Sequence, residues 1–275
     1  MSNNITVKRG LNRSVRVERW QFAGGEEHVR LDTEPFGSDE VVHLFAHIRT
    51  SADVMALLLL TDAVRRHGTQ RIWLWMPYLP YARQDRVCAR GEALSLAVFC
   101  ELINSQGYEY VAVWDAHSDV APALLKRCDV IPPEEFLDNA GGLIDWSKTL
   151  LVAPDAGALK KTAKVASYFH TSFIRADKTR DPKTGEITGT VVHSDHVGDS
   201  DLLIVDDICD GGRTFIELAR ELRKLTTGRV MLYVTHGIFS RGTQVFDGLI
   251  DRVFCANPFV DDLPANFIHL TDNRS

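Results

Sequence analysis

Short unbroken apolar runs alternate with longer amphipathic stretches along most of the chain. Val41–Ile48, Arg71–Met76, Tyr110–Trp114, Leu150–Ala153, Ser172–Arg175, Leu202–Val205 and Val230–Thr235 each have the length and β-branched or aromatic content of a buried strand. Between them, apolar residues recur at helical spacing. Val54, Leu57, Leu58, Thr61 and Val64 share one face of a helix that Ser51 would cap and that runs to about His67. Further helices are expected from about Glu92 to Ser105, from Ala158 to about Phe169, and from Phe215 to about Leu225. Near the N-terminus the pattern has period two: Ile5 and Val7, then Val15 and Val17, predict a hairpin about Gly10-Leu11-Asn12, and Val29 and Leu31 predict a further strand after Gly24-Gly25. Val253, Phe254 and Ile268 suggest short final strands, and the polar residues 181–200 an exposed hairpin or loop.

Strand–helix units at this spacing predict an α/β fold with mainly parallel sheets flanked by helices. The alternation pauses at residues 129–149, where Pro132-Pro133, several acids and Gly141-Gly142 fall, and then restarts. The expected division is therefore 1–145 and 146–275, two similar tandem halves without a clean internal repeat.

The densest chemistry lies between Asp201 and Phe215. A buried run ends in Asp206 and Asp207, followed by Asp210, Gly211, Gly212, Arg213 and Thr214, and a helix opens. Ligands of open α/β sheets bind beyond the carboxyl ends of strands. A loop feeding a helix N-terminus offers free N–H groups and a positive dipole end to a phosphate, and adjacent acids suit sugar hydroxyls. The reading is a sugar-phosphate site; its bland counterpart is a strand end with Asp210 as helix cap. No Gly-Lys-Ser/Thr follows, so this is not a triphosphate-binding P-loop. A comparable strand end, acid, glycine and helix start recur at Pro154-Asp155-Ala156-Gly157. Arg83, Gln84 and Arg86 follow the strand at 71–76, His117 follows that at 110–114, and Lys178 and Arg180 follow that at 172–175.

Composition narrows the class. The 275 residues are 45% apolar and 25% charged, ordinary for a globular protein. A net charge of −6 argues against nucleic acid held by bulk charge. Five scattered cysteines without a Cys-x-x-Cys pair suggest neither a disulfide framework nor a zinc site. No signal-like or membrane-spanning apolar stretch is present, so no membrane partner and a cytoplasmic location are expected.

Taken together, the segments Phe22-x-x-Gly25-Glu26, Pro77-Tyr78-x-x-Tyr81-Ala82-Arg83-Gln84-Asp85-Arg86, Asp115-x-His117, Pro154-Asp155-x-Gly157, Asp177-Lys178-x-Arg180, Asp206-Asp207-x-x-Asp210 and Thr235-His236-Gly237-x-Phe239-Ser240 resemble, in order and spacing, the ribose-phosphate diphosphokinases (phosphoribosyl-pyrophosphate synthetases). The resemblance implies two phosphoribosyltransferase-like domains, the N-terminal one for ATP and the C-terminal one catalytic. The implied reaction is Mg2+-dependent transfer of the β,γ-diphosphoryl group of ATP to the 1-hydroxyl of ribose 5-phosphate. It also implies roles: Phe22 and Glu26 at the adenine, partly from a neighbouring subunit of a homo-oligomer; Arg83, Gln84 and Arg86 at the ATP phosphates; His117 and Asp155 in the magnesium and diphosphate region, with His117 also at ATP; Asp206 and Asp207 at the ribose hydroxyls; Asp210, Gly211, Gly212, Arg213 and Thr214 at the 5-phosphate; Lys178 and Arg180 stabilising the transition state from a closing loop.

The chain departs from the family pattern in three respects. Arg213 replaces a glycine of the phosphate loop, Gly24 stands where an Asp of the adenine turn is usual, and the segment after Ile48 is compressed, with no helix pattern after Leu270. The first departure keeps a second acceptor open, a bulkier ribose derivative such as ADP-ribose. The third leaves phosphate and ADP regulation in question. The family also includes non-catalytic associated regulators, but retention of Lys178, Arg180 and His117 favours an enzyme.

Overall fold

The structure is a computed structural model describing residues 4–180, 187–194 and 197–271. The chain forms two compact units, the first through Pro132 and the second from Pro133.

The first unit runs β1 (Ile5–Arg9), β2 (Arg13–Gln21), β3 (Glu27–Asp32), β4 (Val42–Ala46), α1 (Ser51–Arg66), β5 (Ile72–Met76), α2 (Ser95–Ser105), β6 (Tyr110–Trp114), α3 (Val120–Leu124) and β7 (Cys128–Ile131). Its sheet has the order β3-β2-β1-β4-β5-β6-β7. Strands β4 to β7 are parallel, whereas β1, β2 and β3 extend the sheet antiparallel, so this half is mixed rather than mainly parallel. The reason is local: Gly10, at φ 55°, turns β1 straight into β2, and a hairpin can only pair antiparallel. Leu57, Leu60 and Val64 of α1 and Phe99 and Ile103 of α2 pack with Leu44, Leu74 and Val111 of the sheet in one core.

Helix α1 is capped by Thr50 rather than Ser51. Thr50 Oγ1 accepts from Asp53 N–H at 3.2 Å, and Asp53 Oδ2 accepts from Thr50 N–H at 2.9 Å, a capping box. Asp53 also receives Arg19 Nη1 at 2.7 Å, and Arg19 Nε donates to Glu27 at 2.7 Å. Burial works to raise the Asp53 carboxyl, but the hydrogen bonds from Arg19, Arg49 N–H, Asn4 and Thr50 outweigh it and hold the group below its ordinary range. The compressed segment after Ile48 is thus the place where helix, hairpin and sheet are tied together.

The second unit runs α4 (Pro133–Leu137), β8 (Thr149–Ala153), α5 (Leu159–Tyr168), β9 (Phe173–Arg180), β10 (Ile187–Val192), β11 (Asp201–Cys209), α6 (Arg213–Leu222), β12 (Val230–Gly237), β13 (Arg252–Pro258) and β14 (Phe267–His269). The sheet order is β10-β9-β8-β11-β12-β13-β14, parallel throughout except for β10. The division between units falls at Pro132/Pro133, earlier than the 145 read from composition. Residues 133–145 belong to the second unit because Tyr168 Oη donates to Asp138 at 2.6 Å and Arg229 Nη1 to the Leu143 carbonyl at 3.5 Å. The core of this unit joins Phe215, Leu218 and Leu222 of α6 to Leu202, Ile204, Leu232 and Val253.

All five thiols are free; Cys100 and Cys255 are buried as small apolar residues. Among the described residues, no helix is long and apolar enough to cross a membrane.

Candidate active site

In the second unit four adjacent parallel strands, β9, β8, β11 and β12, carry the motif residues to one edge of the sheet, their carboxyl ends. This follows from the connectivity. Each strand returns in the same direction, so the loops after β8 (Asp155), β11 (Asp210–Gly212) and β12 (Ile238–Gly242) leave from the same side. The backbones of Lys178 and Arg180 end β9 at that edge, with Lys178 opposite Thr190 of β10; their side chains lie outside the described residues.

Strand β11 is longer than the apolar run suggested. It continues through Cys209, with Asp206 opposite Val234 and Ile208 opposite His236, so both acids sit within the ladder rather than beyond it. Asp207 is buried, and Asp207 N–H donates to Asp206 Oδ1 at 2.9 Å. Asp206 keeps some exposed surface, but its carboxyl is closely enclosed. Desolvation first, and the charge of Asp207 second, push its pKa well above the ordinary value. Lys161 of α5 brings Nζ to 3.8 Å from Asp207 Oδ1, with both side chains largely buried. Lys160, Lys161 and Lys164 are indistinguishable as a run in the sequence. Only the phase of α5 shows that Lys161 faces the acids.

Asp210 does not cap α6. The N-cap is Gly212, in left-handed conformation at φ 75°, with no side-chain cap, and Asp210 Oδ1 instead accepts from Ser240 Oγ at 2.6 Å. That bond joins the loop after β11 to the loop after β12. A Cβ on Gly212 would lie 2.7 Å from Phe246 Cζ. Phe239 meets Phe246 and Phe267 edge-on, and Phe246 and Phe267 are tilted against each other, in one aromatic cluster beneath the loop. The glycine is therefore required twice, by its dihedral angle and by the ring under it. With Gly212 as N-cap, the first N–H groups of α6 stand at the end of this loop. Arg213, the first residue of α6, is exposed, and its Nε donates to Glu217 one turn along at 2.7 Å.

Asp155 Oδ1 accepts from Gly157 N–H at 3.0 Å and Ala158 N–H at 3.2 Å, shaping the loop before α5. Among the described residues, no group of three or more His, Cys, Asp or Glu side chains is gathered closely enough to hold a metal by itself.

In the first unit, the loops after β5 and β6 meet at Asp85. This buried carboxylate accepts from Arg86 Nε at 2.9 Å. It is held below its ordinary range chiefly by that hydrogen bond, which outweighs burial, and the charge of His117 acts in the same direction. Arg83, Gln84, Arg86 and His117 are thus brought to one place, all exposed around a buried acid. Tyr81 at φ 64° and Asp115 at φ 41° are left-handed non-glycine residues in these two loops, and Phe239 at φ 49° is a third in the loop after β12. Such conformations cluster where backbone is held for function.

Phe22 and Glu26 lie on the β2–β3 turn, with β1 and β4 between that hairpin and β5 in the sheet order. Phe22 is exposed beside Trp20 and His28. At Gly24 a Cβ would lie 2.5 Å from Oε2 of the exposed Glu26 side chain. The Glu26 carboxylate folds back over the position where an Asp side chain would begin.

The second unit matches the phosphoribosyl transferase domain over residues 133–263, which defines its class. Residues 2–107 match the family described as the N-terminal domain of ribose phosphate pyrophosphokinase. The ribose-phosphate pyrophosphokinase of Pyrococcus furiosus is 30% identical over 234 residues, covering 83% of this chain and 80% of that one. That of Thermococcus kodakarensis is 31% identical over 255 residues, covering 90% and 84%. The crystal structure of phosphoribosylpyrophosphate synthetase from Mycobacterium smegmatis superposes with a TM-score of 0.80 at 24% identity, covering 94% of this chain and 86% of that one, a likeness of fold. The chain belongs to the ribose-phosphate pyrophosphokinase family.

Proposed function

We propose that this chain transfers the β,γ-diphosphoryl group of ATP to the 1-hydroxyl of ribose 5-phosphate, releasing AMP and phosphoribosyl pyrophosphate. The observation that carries this reading is the convergence of Asp206, Asp207 and the Gly211-Gly212 loop at the carboxyl edge of β8, β11 and β12. The 1-hydroxyl oxygen attacks the β-phosphorus, the bond from that phosphorus to the bridging oxygen of AMP breaks with AMP leaving on that oxygen, and the hydroxyl proton passes to solvent.

Asp206 and Asp207 hold the ribose hydroxyls, with Lys161 keeping Asp207 in position. The N–H groups from Gly211 to Thr214 and the dipole of α6 receive the 5-phosphate. Arg83 and Gln84 hold the ATP phosphates, with Arg86 beside them; Arg86 also pairs with Asp85. Lys178 and Arg180 meet the charge that develops on the transferring group, a contribution of roughly 10²–10³ in rate for each such cation. Phe22 and Glu26 hold the adenine of a second copy of the chain, in keeping with an exposed turn at the far end of its sheet, and this makes the protein a homo-oligomer.

The residues fit Mg2+. This ion keeps its waters and takes few, oxygen-donor protein ligands beside substrate phosphates, and Asp155 places a carboxylate at the end of β8. Asp155, at the carboxyl edge of β8, would hold it with the diphosphate, and His117 is assigned to ATP in the first unit. When bound it neutralises phosphate charge. The substrates are small anions, with neither nucleic acid nor membrane as partner, and the enzyme is cytoplasmic.

A coupled assay of AMP release with ribose 5-phosphate and with ADP-ribose as acceptors tests the reading. AMP formation with ribose 5-phosphate is expected. Formation with ADP-ribose alone would replace this acceptor by the bulkier one that Arg213 keeps open.

A further inference from the structure

Two arginines flank the Gly211-Gly212 loop, and their heads are disposed differently. Arg213 Nε is engaged by Glu217 in its own helix. Arg241, from the loop after β12, lays its side chain on the loop itself: Cδ and Nε are 3.3 Å, and Cγ 3.5 Å, from where a Cβ on Gly211 would stand. The arm lies in close contact with the glycine, a few tenths of an ångström tighter than an ordinary Cβ contact would be.

The backbone that carries Arg241 is closely tied. Ile238 and Phe239 N–H donate to the Cys209 carbonyl at 2.8 and 3.2 Å. Ser240 N–H donates to the Asp210 carbonyl at 3.1 Å, and Ser240 Oγ to Asp210 Oδ1 at 2.6 Å. Gly242 N–H then returns to the Phe239 carbonyl at 2.8 Å. Phe239, left-handed at φ 49°, sits at this turn with its ring buried in the core. The backbone at Arg241 is therefore fixed by its neighbours on both sides. Its side chain is exposed, and its guanidinium pairs with no carboxylate among the described residues. A cation lying over a glycine loop at the start of a helix complements an anion seated on that loop.

We propose that Arg241 is a ligand of the acceptor's phosphomonoester and sets the preference of this chain for a phosphorylated ribose. This rests on the reading of the Gly211-Gly212 loop as the acceptor-phosphate site. The arginine covers the phosphate from above while the N–H groups of the loop hold it from below.

The test compares Arg241→Ala, Arg241→Met and Arg241→Lys with the wild type in the full chain. Steady-state AMP formation from ribose 5-phosphate and calorimetric binding of ribose 5-phosphate are both measured. Loss of a charge-assisted hydrogen bond raises KM and Kd for ribose 5-phosphate roughly 10- to 100-fold in the Ala and Met variants. Lys recovers part of the loss, and KM for ATP stays within about twofold, since no ATP phosphate is assigned to Arg241. Met keeps the arm over Gly211 without the charge, so an unchanged KM and Kd in Arg241→Met would reduce Arg241 to packing and overturn the proposal. So would an equal rise in KM for ATP. A wild-type chain that binds ribose 5-phosphate but releases no AMP would sink the reaction proposed above, and the binding comparison would still decide the role of Arg241. A wild-type chain that binds no ribose 5-phosphate would overturn both.

Discussion

Alanine at Gly212 separates backbone requirement from side-chain tolerance in the acceptor loop. At φ 75° the left-handed conformation costs an L-residue roughly 1–2 kcal/mol. The added Cβ also lies 2.7 Å from Phe246 Cζ and 3.0 Å from Cε1. That ring is fully buried against Phe239 and Phe267, so it moves only by disturbing the core, at a cost of about 1–3 kcal/mol. Gly212→Ala should therefore lose about 2–5 kcal/mol of stability. Gly211 makes the control. It is not left-handed, and its Cβ would meet the flexible, exposed arm of Arg241 at 3.3 Å. Gly211→Ala should fall within about 0.5 kcal/mol of the wild type. Urea denaturation followed by far-ultraviolet circular dichroism reads both, and AMP release at varied ribose 5-phosphate reads their effect on the acceptor. Equal stabilities for the two variants, or a loss below about 1 kcal/mol for Gly212→Ala, would refute this account of the loop.

Three further outcomes are expected. Asp53→Asn leaves Arg19 with Glu27 as its remaining carboxylate and weakens the capping box, and should cost about 1–2 kcal/mol at pH 7; because the Asp53 carboxyl is held low, the wild-type advantage is present above the ordinary carboxylate pKa and disappears as pH falls through the lowered value, which urea titrations at several pH values check. Asp206→Asn should do the reverse. With a raised pKa the folded wild type binds more protons than the unfolded chain, so its stability declines as pH rises through that range; the Asn variant should melt a few degrees higher at pH 8, show a smaller gain at pH 5, and have lost turnover. Lys178→Ala should lower turnover on the order of 10²–10³-fold while leaving ATP binding, measured by calorimetry, largely intact; unchanged turnover would remove Lys178 from its assigned role.

Most elements were legible because burial writes itself into the sequence as unbroken apolar runs. Leu202–Val205 marks β11, Val230–Thr235 marks β12, and the helical phase of Val54, Leu57, Leu58 and Val64 marks α1. Strand ends were less legible, since two acids look like a stop signal; β11 continues because Asp206, Ile208 and Cys209 go on pairing with Val234, His236 and Gly237 of β12. The cap of α1 moved by one residue because Thr50 and Ser51 are equally good caps, and only the reciprocal bond with Asp53 distinguishes them. The boundary at Pro133 was hidden because its determinants, Asp138 with Tyr168 and Leu143 with Arg229, are distant in sequence. Within the site, residues in contiguous motifs were readable from spacing. Lys161 and Arg241 were not, because each reaches its partner from a different element and carries no motif of its own.

Diphosphoryl transfer itself is tested most directly by identifying the products. Wild-type chain incubated with ATP, Mg2+ and ribose 5-phosphate, and followed by phosphorus-31 NMR, should yield AMP and phosphoribosyl pyrophosphate in equal amounts, with the β and γ phosphorus of ATP both in the sugar product. ADP together with a ribose bisphosphate, or AMP accompanied only by free pyrophosphate, would contradict it.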